Sequence, residues 1–177
     1  MGWLFFPKPD NVKAYLNKQC TNGRYKLLRS AIVNRTEYYA AVEHTAEDGT
    51  RTVSAVICLL RFIPRARDGA TFGYKDMDED MGPNAARCPK QILALLTPPS
   101  TEYAAKWRES CEAYHRAGMV KTGTVIRFKN PLTFIDGPRE DHFTVWRKGG
   151  KVRFRRMTDG ILVRITNWKE RGFEVVN

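Results

Sequence analysis

The segment FGYKDMDEDMGP (residues 72–83) carries four carboxylates within five positions, and carboxylates at close spacing can bind a cation. The one-apart spacing of Asp76, Asp78 and Asp80 is that of the first ligands in an EF-hand calcium loop. The rest of the segment departs from that pattern, because the sixth position is Met81 where glycine is required and the twelfth is an arginine. The sequence therefore argues against an EF-hand.

Two other interpretations of this acidic segment stay open. Asp76, Asp78 and Asp80 could form a carboxylate site for a divalent cation, as in nucleases, and this gives a metal-dependent enzyme as one hypothesis. Such sites draw ligands from separate strands, and the sequence indicates no histidine or lysine partner. We favour an acidic loop that packs against the protein's own basic surface or is solvated.

Other signs of catalysis are few. His44, His115 and His142 fall in different predicted elements, and Cys111 lies one helical turn before His115 but within an apolar stripe. The sequence contains no G-x-S-x-G, P-loop, dinucleotide fingerprint or HExxH motif. We therefore expect a protein that is not an enzyme, with no catalytic residue, no resident metal and no cofactor.

The charge of the chain points instead to a polyanionic partner. Lys and Arg number 30 against 19 Asp and Glu, which gives a formal net charge of +11. Residues 119–177 hold 13 basic and 6 acidic side chains, net +7, whereas residues 1–118 hold 17 and 13, net +4. A nucleic acid, an anionic membrane surface or an acidic protein would each suit such a chain.

Two glycine turns predict how the basic residues of the last third are arranged. Gly149–Gly150 and Asp159–Gly160 each have the composition of a two-residue hairpin loop. Counting outward from both loops gives a core face and an outer face. The predicted core face holds Phe143, Val145, Val152, Phe154, Val163 and Ile165. The predicted outer face holds Thr144, Trp146, Lys148, Lys151, Arg153, Arg155, Arg164 and Thr166.

This outer face is either an ordinary solvated surface or a binding surface. Lys148 opposite Lys151, and Arg155 opposite Arg164, would each be destabilising by a few tenths to about 1 kcal/mol. A bound polyanion would relieve that repulsion, and a tryptophan among cations suits a base as well as phosphates. In the solvated alternative the indole would simply stack with Arg153. We predict nucleic-acid contacts from Trp146, Lys148, Lys151, Arg153, Arg155 and Arg164.

The elements that position these residues follow from periodicity and turns. Asp10 or Asn11 can cap a first helix, and an antiparallel meander follows. Its predicted strands are 25–34, 36–45 and 51–63, of which the third is the most apolar and is expected to be central. Residues 64–89 read as irregular. Helices are predicted at 89–97 and 101–117, the second with a buried stripe of Tyr103, Trp107, Cys111 and Tyr114 and with Gly118 as a left-handed cap.

The last third predicts short strands and tight turns rather than helices. The strands are expected at 123–129, 132–136, 142–148, 151–157, 161–166 and 173–176. The predicted fold class is α+β, with a meander and two or three helices in a domain at 1–118. A small basic β-barrel-like domain of SH3 or OB type, or a curled sheet, is expected at 119–177.

Apolar runs and cysteines indicate where in the cell the protein is expected. No run of about 18 apolar residues could span a membrane, and the four apolar residues after Gly2 are too few for a signal peptide. The four cysteines are scattered without a CxxC motif, so reduced, buried thiols are favoured over disulfides or zinc ligands. We therefore expect a cytoplasmic protein with no membrane partner. These cysteines are Cys20, Cys58, Cys88 and Cys111.

Five segments together resemble an uncharacterised family, a domain of unknown function found on bacterial plasmids, integrative elements and phages. They are MGWLF at 1–5, FGYKDMDEDMGP at 72–83, CPKQILALLTP at 88–98, WRESCEAYH at 107–115 and GTVIRFKNPLTFIDG at 123–137. The resemblance implies an accessory protein of a mobile element, and it assigns no activity to any residue. The predicted function is nucleic-acid binding in that setting. The alternative is a protein-binding inhibitor of a host defence system, whose partner would be a host defence protein.

Overall fold

Within the residues described, the chain forms two antiparallel five-stranded sheets and three α-helices, which confirms the α+β class. The computed structural model describes residues 2–63, 70–135, 137, 139–169 and 171–176. The helices are α1 (Val12–Gln19), α2 (Lys90–Leu93) and α3 (Glu102–Met119), and a 3-10 helix spans Glu79–Met81. The strands are β1 (Leu4–Pro7), β2 (Tyr25–Val33), β3 (Glu37–Thr45), β4 (Arg51–Phe62), β5 (Ala70–Asp78), β6 (Val125–Thr133), β7 (Arg139–Lys148), β8 (Lys151–Arg156), β9 (Leu162–Val163) and β10 (Phe173–Val176).

The chain divides into two compact units, Met1–Glu109 and Ser110–Asn177. The division falls within α3, whereas the sequence predicted a boundary at Gly118, and that boundary stays a prediction. The predicted glycine cap is wrong, because α3 continues to Met119 and Gly118 does not have a positive φ. None of the helices described is long and apolar enough to cross a membrane.

The sheet of the first unit has the strand order β1-β5-β4-β3-β2, so β4 is central, as predicted. Its strand β3 is buried from Glu37 to Val42, which shows that both faces of the sheet are covered there. On one face, Leu16 of α1 packs with Tyr38, Phe72 and neighbouring apolar side chains. Asn11 caps the start of α1, since its side chain accepts a hydrogen bond from the Ala14 N–H.

Strands β1 and β5 were not predicted, and the expectation of an irregular segment after β4 is wrong from residue 70 to residue 78. Residues 64–69 lie outside the part of the chain that is described. Each β5 residue from Phe72 to Asp78 pairs with β4, and Leu4 to Phe6 pair with the opposite edge of β5. A Cβ at Gly73 would lie 2.6 Å from the ring of Phe5, so any larger residue would force that ring to shift.

The aromatic stripe predicted on α3 is partly wrong. Trp107 and Cys111 are buried, but Tyr103 is 66% exposed and Tyr114 is half-buried. Ala104 and Ala117 are buried in their place. The buried side of α3 is thus lined by smaller side chains than the sequence pattern suggested.

The sheet of the second unit has the order β10-β6-β7-β8-β9 and is open among the described strands. Of the two expectations, a β-barrel-like domain or a curled sheet, no closed barrel is found among these strands. Its core is built from aromatic and branched side chains, and Phe128 lies edge-on to both Phe143 and Phe154. The ring of Trp168 packs edge-on against Phe154 at 5.1 Å. Residues 164–168 therefore return to cover the core although β9 itself has only two residues.

Candidate nucleic-acid interface

The hairpin of β7 and β8 has the register that the sequence predicted. Lys148 lies opposite Lys151, and Trp146 lies opposite Arg153. Gly149 and Gly150 form the loop with φ of 55° and 75°, a conformation that side chains with a Cβ rarely adopt. Val145 and Phe154 are fully buried on the inner face, so Trp146 and the facing cations are on the outer face.

The predicted side chains are accessible to a partner. Trp146 is 41% exposed, and Arg153 is half-buried with its Nη1 donating to the Val152 carbonyl oxygen at 3.2 Å. Lys148, Lys151, Arg155 and Arg164 are exposed. The indole of Trp146 lies beside Arg155, whose Cζ is 5.9 Å from the ring centroid, whereas the solvated alternative had paired it with Arg153. We call the six residues Trp146, Lys148, Lys151, Arg153, Arg155 and Arg164 the basic face.

The second hairpin is shifted by two residues from its predicted register. Phe154 lies opposite Val163 and Arg155 lies opposite Leu162, so Arg155 and Arg164 are not a cross-strand pair. The loop contains the four residues between Arg156 and Ile161. The Arg156 N–H donates a hydrogen bond to the Ile161 carbonyl oxygen at 3.0 Å. An even shift keeps every residue on its predicted face, because side chains alternate with a period of two.

A buried carboxylate from another strand explains this shift. Glu140 on β7 is 6% exposed and accepts hydrogen bonds from the N–H groups of Met157 and Thr158 at 2.6 and 3.1 Å. It therefore holds both residues in the turn rather than in the ladder. Arg156 is also buried and pairs with Asp159, which keeps the pKa of that carboxyl below its ordinary value, chiefly through their hydrogen bonds.

At the opposite edge of the sheet, the outer surface is neutralised. Arg127 on β6 forms ion pairs with Asp141 at 3.2 Å and with Glu174 at 3.6 Å. Hydrogen bonding to His142, and then to Arg127, lowers the pKa of Asp141. In contrast, no ion pair is found for any cation of the basic face within the described residues.

The acidic segment of the first unit is an ordered part of the fold. Glu79, which the sequence did not single out, is 2% exposed and is held by Arg108 of α3 through two hydrogen bonds of 2.6 and 2.7 Å. Its Oε1 also accepts from the Ala55 N–H at 3.1 Å. The favoured prediction of packing against basic groups of the same protein describes Glu79 well, although its partner is one half-buried arginine.

Asp76, Asp78 and Asp80 serve separate contacts. Asp78 caps the 3-10 helix through the Met81 N–H, and Asp80 accepts from the hydroxyls of Ser100 and Thr101 at 3.2 and 2.7 Å. Asp76 lies opposite Cys58 and lines a cavity to which Asp78 and Asp80 do not contribute. Among the described residues no group of three or more His, Cys, Asp or Glu side chains could hold a metal ion.

The cavity beside Asp76 measures about 280 Å³ and lies between α1 and the sheet. It includes Cys20 and Cys58, and burial raises the pKa of both thiols. A nucleophilic cysteine requires the opposite shift, toward the thiolate. Cys58, Cys88 and Cys111 are buried, and Cys20 is half-buried. These thiols therefore behave as core side chains.

Comparison with known proteins gives one match. A family model described as "Domain of unknown function (DUF6927)" matches residues 98–168, which is less than half of the chain. The match includes all six residues of the basic face and the segments at 107–115 and 123–137, but not MGWLF or the acidic segment. No curated protein and no solved structure matches. Residues 98–168 are thus similar to a family that has no assigned function.

Proposed function

We propose that the chain binds nucleic acid through the basic face of its second unit. The observation that supports this proposal most strongly is the lack of ion pairs for the face's five cations, among the residues described, beside an exposed indole. The fold keeps Lys148 directly opposite Lys151, at a cost in stability that a phosphate backbone would offset. Binding of cations to phosphates is favourable because it releases the counterions condensed on the nucleic acid.

The arrangement fits contact with a backbone rather than readout of a duplex sequence. The cations are on a sheet surface, whereas a base edge in the major groove is usually read by a helix or a narrow two-stranded ribbon. We therefore expect binding with little sequence preference. A role as an accessory protein of a mobile element stays a prediction that rests on the sequence resemblance alone.

The test is fluorescence anisotropy with labelled single-stranded DNA, duplex DNA and RNA, titrated over a range of salt concentrations. The wild type should bind with a steep loss of affinity as salt rises, with a log–log slope of about 0.7–0.9 per phosphate contacted. Arg153→Ala/Arg155→Ala should weaken binding and reduce the slope by between one and two units. Arg24→Ala/Arg116→Ala removes the same charge from two exposed ion pairs and should leave the slope unchanged.

Equal losses in the two double variants would mean that net charge alone drives binding, and the proposed face would be wrong. No binding at low salt would refute nucleic-acid binding altogether. The inhibitor hypothesis would then take its place, with the same face docking onto an acidic host defence protein.

A further inference from the structure

An open groove lies beside β8 where β9 stops short. Strand β9 pairs only with Phe154 and Arg155, and the chain from Arg164 to Lys169 then leaves the sheet. Between that segment and the first half of β8 lies a groove of about 580 Å³, which we call the notch. The notch exists because Ile165 and Trp168 turn inward to the core instead of continuing the ladder.

The notch is strongly cationic. Its lining includes Arg147, Lys151, Arg153, Arg164 and Lys169, and no carboxylate is among its described lining residues. Arg147 is held by a hydrogen bond from its Nη2 to the Ala117 carbonyl oxygen at 3.1 Å. Its Nε is buried and has no hydrogen-bond partner among the described residues. Because that nitrogen is buried, a phosphate in the notch would be bound by the exposed Lys151 and Arg164 instead.

A second groove adjoins the notch on the outer face. It measures about 380 Å³, and its lining combines the apolar surfaces of Trp146 and Leu162 with Lys148, Lys151 and Arg153. Both apolar side chains are more than 40% exposed. Lys151 and Arg153 line this groove and the notch alike, so the two sites share a wall. We call the second site the Trp146 groove.

We propose that the notch and the Trp146 groove together bind a single-stranded nucleic acid, DNA or RNA. A backbone phosphate occupies the notch and is bound by its lysine and arginine side chains, and a neighbouring base stacks on Trp146. A duplex offers its phosphates but keeps its bases paired and stacked, so it cannot fill the Trp146 groove. The inference rests on the proposed function and narrows it to unpaired strands.

The test measures dissociation constants by fluorescence anisotropy for strands of about 12 nucleotides, near the length that one small binding domain covers. The probes are single-stranded DNA, single-stranded RNA, the duplex form of the DNA, and an abasic DNA of equal length that keeps the phosphates. We expect at least one of the single strands to bind about tenfold or more tighter than both the duplex and the abasic strand.

Four variants separate the two sites. Trp146→Ala should weaken binding of the preferred single strand about tenfold and leave the abasic strand unaffected, whereas Trp146→Phe should retain most of the affinity. Arg164→Gln should weaken binding of both probes. Arg127→Gln removes the same charge from the neutralised edge of the sheet and should change neither. Circular dichroism and thermal melting check that each variant is folded.

The outcomes distinguish this inference from the proposed function. If the duplex and the abasic strand bind as tightly as the single strands, and Trp146→Ala changes nothing, the single-strand inference is wrong although the basic face still binds nucleic acid. If none of the four probes binds at low salt, both proposals are wrong.

Discussion

Residues 76–80 hold four carboxylates, and residues 146–155 hold five cations, so each unit of the chain contains one short segment of concentrated charge. In the first, Glu79 is buried against Arg108, and Asp78 and Asp80 accept hydrogen bonds from nearby residues. In the second, the cations have no ion pair within the described chain, and all of them except Arg155 line one or both of two grooves. Charge that is satisfied internally serves the fold, whereas exposed charge without partners is available to a ligand.

The largest expected effect is in the acidic segment. Arg108→Met should destabilise the protein by about 3–5 kcal/mol, because it leaves the buried Glu79 carboxylate without its cation. Urea unfolding measures the change. Lys106→Met is the matched control on the same helix, since its pair with Glu102 is exposed to solvent and should contribute little to stability. A loss in Arg108→Met as small as the one expected for Lys106→Met would show that the pair of Glu79 and Arg108 does not support the fold.

A smaller effect is expected at the paired cation of the second unit. Asp159→Asn should lower stability at neutral pH, because the buried Arg156 loses its carboxylate. Hydrogen bonding lowers the pKa of Asp159 in the folded protein. The stabilisation by the Asp159 carboxylate is therefore complete above its pKa of 3.8 in the unfolded chain. It is lost as the pH falls through the lower pKa of this group in the folded protein.

Thermal melting over a range of pH tests whether the Asp159 charge stabilises the fold. The difference between wild type and Asp159→Asn should be constant near neutral pH and should narrow in acid below the unfolded pKa. A difference that stays constant through this acid range would mean that the Asp159 charge makes no contribution.

The smallest expected effect is on the basic face, and its sign is opposite. Lys151→Ala should leave stability unchanged or raise it by up to a few tenths of a kcal/mol at low salt, because it removes a like charge opposite Lys148. Any gain should disappear in high salt, where exposed charges are screened. A clear loss of stability in urea unfolding would show that Lys151 serves the fold, and it would weaken the contrast between the two segments.

Local sequence signals predicted the parts of the structure that local interactions determine. Strands β2 to β4 and the Gly149–Gly150 hairpin follow from alternation and turn composition, and they placed Trp146 and Arg153 on one face. The parts that the sequence did not predict depend on distant partners. Gly73 and the charges of β5 obscured a strand that is ordered by pairing with β1 and β4, and Glu140 shifted the second hairpin by capturing Met157 and Thr158.

In the candidate site, sequence patterns revealed the exposed cations but not the notch. The composition of 146–155 was sufficient to identify exposed cations, since their face depends only on strand parity. The notch could not be predicted, because it depends on β9 ending after Val163 and on Trp168 packing into the core. Glu79 was one of four adjacent acids, and only burial distinguishes it from the others.

The most direct test of the contrast is an NMR titration of the isotope-labelled protein with a single-stranded oligonucleotide, followed through backbone amide shifts. We expect chemical-shift changes concentrated in residues 144–155 and 162–169 and at the Trp146 side-chain N–H. The chemical shifts of residues 76–81 should stay unchanged. Shifts concentrated in the first unit, or an even spread over both units without saturation, would contradict the claim that charge without internal partners marks the binding surface.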